Sequence, residues 1–158
     1  GGIVGRKLIT EQDEKWYDFL MDVNMRSVFL CTREVVPMMP AGGSIVNFSS
    51  QAARDGGGPG ASVYAAAKAA VMCHTRSMAK ELGPKGIRVN ALAPGMINTS
   101  FHDRFTKPEA RENLHNTAPL RREGEASEVA DLVCYLASSE SSYLTGTNID
   151  INGGTLFS

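Results

Sequence analysis

Residues 44–50 read SIVNFSS, and this stretch decides the fold class. Its first five residues form a short apolar run, which is typical of a strand buried in a parallel sheet. Residues 87–95, IRVNALAPG, contain a second run that ends at a proline–glycine pair, and residues 147–151, TNIDI, contain a third. Each run therefore predicts one buried strand.

A long helical pattern precedes the first strand. Apolar residues recur at helical spacing from about residue 10 to about residue 39. Thr10 and Asp13 resemble a capping box with aspartate in place of glutamate, so the helix is expected to begin at Thr10. A helix of this length should break or bend, and we expect the bend near Asp22–Asn24.

Further helical patterns separate the remaining strands. Residues 62–82 are rich in alanine and stop at Gly83-Pro84, which predicts a helix. Residues 129–136 carry apolar residues at amphipathic spacing, whereas residues 96–123 are polar and irregular, with short helical pieces at most. Alternating strands and helices predict an α/β fold with a parallel sheet in a single domain.

The composition excludes several classes of function. The chain has 158 residues with 16 basic and 17 acidic side chains, and the basic residues are too scattered for a nucleic-acid or anionic-membrane surface. No apolar stretch approaches the roughly 20 residues that span a bilayer. Three widely spaced cysteines and three histidines form no metal-binding motif, which fits a reducing, cytoplasmic compartment and no metal.

Tyr64 and Lys68 are four positions apart in the helix predicted over residues 62–82, so they share one face. A free tyrosine has a pKa of about 10 and is a poor acid–base catalyst near neutrality. A nearby ammonium favours the phenolate and lowers that pKa. Ser50 follows a strand end, where open α/β sheets bind ligands, and can hydrogen-bond the same substrate oxygen. These residues predict carbonyl reduction or alcohol oxidation with a hydride-carrying cofactor.

Each of these residues also has a structural interpretation. Tyr-x-x-x-Lys alone is more often an exposed helix pair, and Ser50 alone is more often a turn residue or a helix cap. Taken alone, Asn24 is more simply explained as a polar residue that bends a helix, and Thr99 as the N-cap of a short helix. Only the combination favours a catalytic site.

Five segments resemble the short-chain dehydrogenase/reductase family in order and spacing, over essentially the whole chain. They are Asp22-Val23-Asn24, residues 44–50, Tyr64-Ala65-Ala66-Ala67-Lys68, residues 88–95, and Thr145-Gly146 with residues 150–154. Jointly these motifs are highly specific, and they are most similar to the 3-oxoacyl-carrier-protein reductase-like branch. The resemblance implies a Rossmann-like, doubly wound parallel sheet.

The resemblance also implies the cofactor and the roles of the site residues. The cofactor is NAD(H) or NADP(H), Tyr64 is the general acid/base, and Ser50 orients and polarises the carbonyl. Lys68 holds the nicotinamide ribose and depresses the tyrosine pKa, and Asn24 anchors a water in a proton relay. Four residues resemble the segment that touches the nicotinamide carboxamide and the phosphates: Pro94, Gly95, Ile97 and Thr99. A homotetramer or homodimer is expected.

The family's usual beginning, a strand followed by a G-x-x-x-G-x-G turn and a helix, does not occur in residues 1–158. We expect these residues to form the catalytic half of a single NAD(P)-binding domain, with the first four strands absent. On that expectation, the isolated polypeptide lacks a pocket for adenosine and pyrophosphate and is unstable or inactive. The alternative function is that of an inactive remnant serving as an interaction or oligomerisation module.

The resemblance identifies residues 96–117 as the variable substrate loop, and this segment is rich in positive charge. One hypothesis is a substrate with a carboxylate, such as a keto sugar acid, since residues 56–60 and 100–102 resemble reductases that act on deoxy-keto-uronates. The alternatives are an acyl thioester and a solvated loop whose bases pair with its own acids. The bases are His102, Arg104, Lys107, Arg111 and His115, and the acids are Asp103, Glu109 and Glu112.

Overall fold

A computed structural model describes residues 5–100 and 108–157. The helices are α1 (Glu14–Met21), α2 (Ser27–Val35), α3 (Ala52–Asp55), α4 (Ser62–Leu82), α5 (Pro108–Thr117) and α6 (Ala126–Ala137). The strands are β1 (Ser44–Phe48), β2 (Arg88–Pro94), β3 (Ile97–Asn98), β4 (Gly124–Glu125) and β5 (Asn148–Ile151). Single 3-10 turns cover Ile9–Glu11, Val36–Met38, Gly83–Lys85 and Ser139–Ser141.

Three strands form a parallel sheet in the order β1-β2-β5 within the described residues. Phe48 lies beside Leu92, and Leu92 lies beside Ile149, so the carboxyl ends of all three strands meet at one edge. A two-residue parallel ladder joins β3 to β4. The strand predictions from the sequence are confirmed to within one residue at each end.

Helices cover both faces of the sheet because side chains alternate along β2. Val89 packs with Leu82 of α4 on one face, and Leu92 packs with Val129 and Leu136 of α6 on the other. Val89 and Leu92 are completely buried, and burying such side chains stabilises the fold by roughly 1.5–3 kcal/mol each. The predicted doubly wound α/β class is confirmed.

The first helix begins later than the sequence suggests. Asp13 caps α1, because its carboxylate accepts a hydrogen bond from the Trp16 N–H at 2.7 Å. The expected start at Thr10 is wrong: Thr10 lies in a separate 3-10 turn, in which the Glu11 carboxylate accepts from the Leu8 N–H. An aspartate caps a helix at least as well as a threonine, so Asp13 can begin the helix without a contribution from Thr10.

The expected bend is present as a π-helical turn over Asp22–Arg26 between α1 and α2. Such turns widen the helix by one residue and redirect a side chain. Here the Asn24 side chain is carried into the interior, where its Nδ2 donates to the Leu20 carbonyl at 2.9 Å. Among the described residues, no helix has both the length and the apolar character to cross a membrane.

Candidate active site

The loop after β1 lies directly against the end of β2. The Ser49 N–H donates to the Leu92 carbonyl at 2.8 Å, and the Gln51 N–H donates to the Pro94 carbonyl at 3.0 Å. These bonds continue the β1–β2 pairing beyond the last residue of β1. Ser50 is therefore held at the carboxyl edge of the sheet, beside Gly95.

Helix α4 brings Tyr64 and Lys68 to the same edge. The Ser49 hydroxyl donates to the Lys68 carbonyl at 3.0 Å, and Lys68 Nζ donates to the Phe48 carbonyl at 3.0 Å. Lys68 Nζ lies 5.9 Å from the centre of the Tyr64 ring. The Ser50 side chain lies within reach of the Tyr64 phenol. The structure thus brings the three residues of the predicted cluster into one place.

Burial changes the proton affinity of both groups on α4. It raises the pKa of Tyr64 above the usual tyrosine value, and the Ser50 side chain opposes this rise. It also lowers the pKa of Lys68 to about 8, because desolvation disfavours the ammonium form. Burial is thus the largest influence on the Tyr64 pKa, and a lowering of that pKa by Lys68 stays a prediction.

Ser50 combines a structural contact with an available hydroxyl. Its Oγ accepts a hydrogen bond from the Ala52 N–H at 3.2 Å, the kind of turn contact that its structural interpretation anticipates. A hydroxyl has one donor and two acceptor positions, and this contact uses one acceptor position. The Ser50 proton and a second lone pair therefore remain for Tyr64 and for a substrate.

Asn24 faces the same open cleft as Lys68. This cleft encloses about 330 Å³ between α2 and the outer edge of β1, and both residues contribute to its lining. Asn24 is 1% exposed, and its contact with Leu20 within the π-helical turn also fits the helix-bending interpretation. The role of Asn24 in a proton relay stays a prediction.

The segment after β2 is tightly packed. The Gly95 N–H donates to the Ile151 carbonyl at 3.0 Å, and a Cβ at Gly95 would approach the Cα of Asn152 to 2.9 Å. Only glycine fits this close approach without movement of the backbone. Pro94 ends β2, Ile97 lies in β3, and the Thr99 hydroxyl donates to the Ile97 carbonyl at 3.3 Å. Their contact with a cofactor stays a prediction.

The structure assigns Arg111 a partner that the sequence does not suggest. Its guanidinium binds the Glu123 carboxylate through two nitrogens, at 2.5 and 2.6 Å. Arg111 is thus engaged within the protein. The other predicted bases His102, Arg104 and Lys107, together with Asp103, lie outside the described residues, as does the side chain of His115.

Three residues that position the site were missed in the sequence. Ser49 is 4% exposed and anchors α4, whereas Ser50 is partly exposed. If β1 is continued by two residues, the alternation of its side chains predicts that these two serines face opposite sides. Gln51 joins the Ser50 loop to the chain end, because its Oε1 accepts from the Thr155 hydroxyl at 2.7 Å. Neither Gln51 nor Glu123 has a local sequence signal, since their partners are distant in the chain.

Comparison with known proteins identifies the family. Residues 1–155 match the family described as enoyl-(acyl carrier protein) reductase. The 3-oxoacyl-[acyl-carrier-protein] reductase of Thermotoga maritima is 44% identical over 155 residues, which cover 97% of this chain and 62% of that protein. The chain therefore belongs to the short-chain dehydrogenase/reductase family, in its 3-oxoacyl reductase-like branch, as its motifs predicted.

Solved structures agree with this assignment. A blue fluorescent protein from a metagenomic library, in complex with NADPH, has a TM-score of 0.90 and 31% identity, covering 99% of this chain and 63% of that one. An NADH-dependent reductase responsible for alginate metabolism has a TM-score of 0.89 and 33% identity, covering 100% of this chain and 63% of that one. The chain spans about 62% of the length of the curated relatives that it matches most strongly.

Proposed function

We propose that the protein is an oxidoreductase that interconverts a carbonyl and an alcohol by hydride transfer with NAD(H) or NADP(H). The observation that carries this proposal is the contact of the Ser50 and Tyr64 side chains beside the buried amine of Lys68, at the carboxyl edge of a parallel sheet. Two hydroxyls that meet at one point suit a substrate with a single reacting oxygen. The reductases among the similar proteins support the same reaction class.

Tyr64 is proposed as the general acid/base. Its phenol is protonated at neutral pH and can give a proton to a carbonyl oxygen, and the nearby Lys68 ammonium is proposed to offset the raised pKa that burial gives the phenol. Ser50 donates a second hydrogen bond to the same oxygen and stabilises the negative charge that develops there. In the direction of alcohol oxidation Tyr64 must first lose its proton, so oxidation is favoured at higher pH.

The residues present fit the nicotinamide half of the proposed cofactor. A bound nicotinamide would supply or accept the hydride. Lys68 offers a buried ammonium next to the Ser50 loop, and this ammonium can donate hydrogen bonds to ribose hydroxyls. Pro94, Gly95, Ile97 and Thr99 lie along the adjoining segment. Asn24, on the shared cleft, is proposed to hold a water that returns protons to Lys68. The adenosine and pyrophosphate require residues outside this chain.

The substrate is proposed to be a small carbonyl compound, and two classes have support. The name of the Thermotoga maritima relative points to a 3-oxoacyl thioester. The similar reductase responsible for alginate metabolism fits a keto sugar acid, the second class, and the basic side chains within residues 96–117 are compatible with it, although three acidic residues of the segment balance its three lysine and arginine residues. Acetoacetyl-N-acetylcysteamine, a neutral 3-oxoacyl thioester, and a 4-deoxy-5-keto-uronate represent the two classes in an assay.

Oxidation of NADH and of NADPH by the full-length protein, with each of these substrates, tests the proposal. We expect turnover with at least one pair, and we expect Ser50→Ala to lower kcat/KM by about 100-fold through loss of one hydrogen-bond donor. Ser77→Ala, on the exposed face of α4, is the matched control and should react like the wild type. Undiminished turnover in Ser50→Ala, or no oxidation of either cofactor, would refute the proposed function.

A further inference from the structure

Helix α5 is joined to the rest of the molecule by a charged contact. Arg111 Nε and Nη2 donate to the two carboxylate oxygens of Glu123, and Nη2 also donates to Asn98 Oδ1 at 3.2 Å. The Glu123 side chain is only 8% exposed, and the Arg111 side chain is 27% exposed. A bidentate arginine–carboxylate pair out of solvent is a strong and directional interaction.

Apolar packing contributes little to the placement of this helix. Residues 108–117 read PEARENLHNT, with Leu114 as the one large apolar side chain. A helix of ten residues is also too short to be stable without tertiary contacts. The pair formed by Arg111 and Glu123 is therefore the main directional contact that fixes where α5 sits.

The partners of Arg111 connect α5 to the candidate active site. Glu123 directly precedes β4, and Asn98 is the last residue of β3. Strand β3 begins two residues after Gly95, so the ladder of β3 and β4 continues from the carboxyl edge where Ser50 and Tyr64 meet. A shift of the arginine would move α5 relative to this edge.

We propose that Arg111 and Glu123 act as a positioning pair that seats α5 and so sets the affinity for the carbonyl substrate. This inference rests on the proposed function and on α5 belonging to the segment that the family resemblance identifies as the substrate loop. Arg111 does not itself contact the substrate, because its guanidinium is directed at Glu123 and Asn98. Loss of the pair should therefore weaken the binding of neutral and anionic substrates alike.

Two measurements on Arg111→Met, Glu123→Gln and the double variant test the pair. Hydrogen exchange should show faster exchange of the amides of residues 108–117 in all three. The KM for both the neutral thioester and the keto uronate should rise by about 10-fold, with kcat changed by less, because the substrate is misplaced rather than the chemistry removed. The double variant should be no worse than either single one, since both remove the same contact.

Arg122→Met is the matched control. Arg122, next to Glu123 in the chain, forms a bidentate pair with Glu128 at 2.6 and 2.8 Å, but that pair is exposed and joins the segment before β4 to α6. Its loss should leave the exchange of α5 and both KM values near those of the wild type. A general loss of local stability would instead affect Arg122→Met and Arg111→Met together, and would overturn the inference.

The remaining outcomes also decide the matter. Unchanged exchange of residues 108–117 in Arg111→Met and Glu123→Gln would overturn the seating role, whatever the activity. Faster exchange with unchanged KM would overturn the link to substrate affinity. A rise of KM confined to the anionic keto uronate would show that Arg111 binds the substrate directly. A wild-type protein that oxidises neither cofactor would refute the proposed function, while the exchange measurement would still decide the seating of α5.

Discussion

Lys68 and Tyr64 illustrate how burial alters chemistry at the scale of single residues. Their spacing on one helix face follows from the sequence, and the structure places both beside Ser50. The direction of the Tyr64 pKa shift does not follow from spacing, because it depends on how much solvent the fold removes from the phenol. The sequence indicates the attraction of the ammonium, whereas the extent of desolvation becomes visible only in the fold.

The buried amine of Lys68 makes a measurable contribution to stability that depends on pH. Its pKa is about 8 in the folded chain and about 10.4 in an unfolded one. Between these values the unfolded state binds more protons, so the free energy of unfolding rises with pH. We compare the free energy of unfolding of the wild type with that of Lys68→Met. Between about pH 8 and about pH 10.4 the wild-type value should rise relative to that of the variant by on the order of 3 kcal/mol.

Urea unfolding of both proteins at a series of pH values measures this difference. Lys80→Met, on the exposed face of the same helix, controls for the loss of a lysine as such. A difference that stays flat or falls over this window would show that Lys68 is not desolvated in the folded protein.

Helix α3 shows how a short element depends on contacts far away in the sequence. Arg54, near its end, pairs with Asp150 of β5 at 3.0 Å and donates to the Asn148 carbonyl at 2.9 Å. The partners are 96 and 94 positions away, so no local pattern could predict them. The helix ends at Asp55, and the φ of 83° at the following residue, Gly56, suits glycine.

The Arg54 contact predicts a clear difference between two arginine substitutions. Arg54→Met should lower the free energy of unfolding by roughly 1–3 kcal/mol, because the Asp150 side chain, 16% exposed in the intact pair, would lose its guanidinium partner. Arg33→Met removes an exposed pair with Glu34 and should change stability by less than about 0.5 kcal/mol. Chemical denaturation of the two variants gives both values, and equal losses would contradict a structural role for Arg54.

How well a helix or strand could be predicted from the sequence depends on its length and on the regularity of its apolar pattern. The strands β1, β2 and β5 and the helix α4 have strong patterns of their own, and their limits were predicted closely. The ladder of β3 and β4 has two residues in each strand, too few for any period to appear. The polar helix α5 was expected only as a short helical piece, because its apolar pattern rests on Leu114 alone.

At the scale of the whole molecule, the outer edge of β1 is an unpaired strand edge within the described residues. Within the described residues β1 pairs only with β2, and apolar side chains remain exposed along β1 and the neighbouring helix α2. Phe29, Leu30, Val35 and Phe48 are each 39–46% exposed. Open strand edges and apolar patches favour association with further protein. A homotetramer or homodimer stays a prediction.

Residues 1–158 alone should not bind the dinucleotide tightly. They contain no G-x-x-x-G-x-G turn, so we expect no saturable binding in an NADH fluorescence titration up to about 1 mM. A chimera that adds the part of the Thermotoga maritima reductase outside the match should bind NADH or NADPH. Tight binding by the 158-residue chain would contradict this expectation. A full-length protein that binds neither nucleotide would favour the interaction or oligomerisation module.

The most direct measurement of the central claim is the rate of carbonyl reduction by Tyr64→Phe in the full-length protein. This change keeps the ring and removes the hydroxyl, so kcat should fall by about 100- to 10,000-fold. Tyr143→Phe, at a fully exposed tyrosine, should retain the wild-type rate. A Tyr64→Phe protein that reduces the same substrate at the wild-type rate would show that the proton comes from another group.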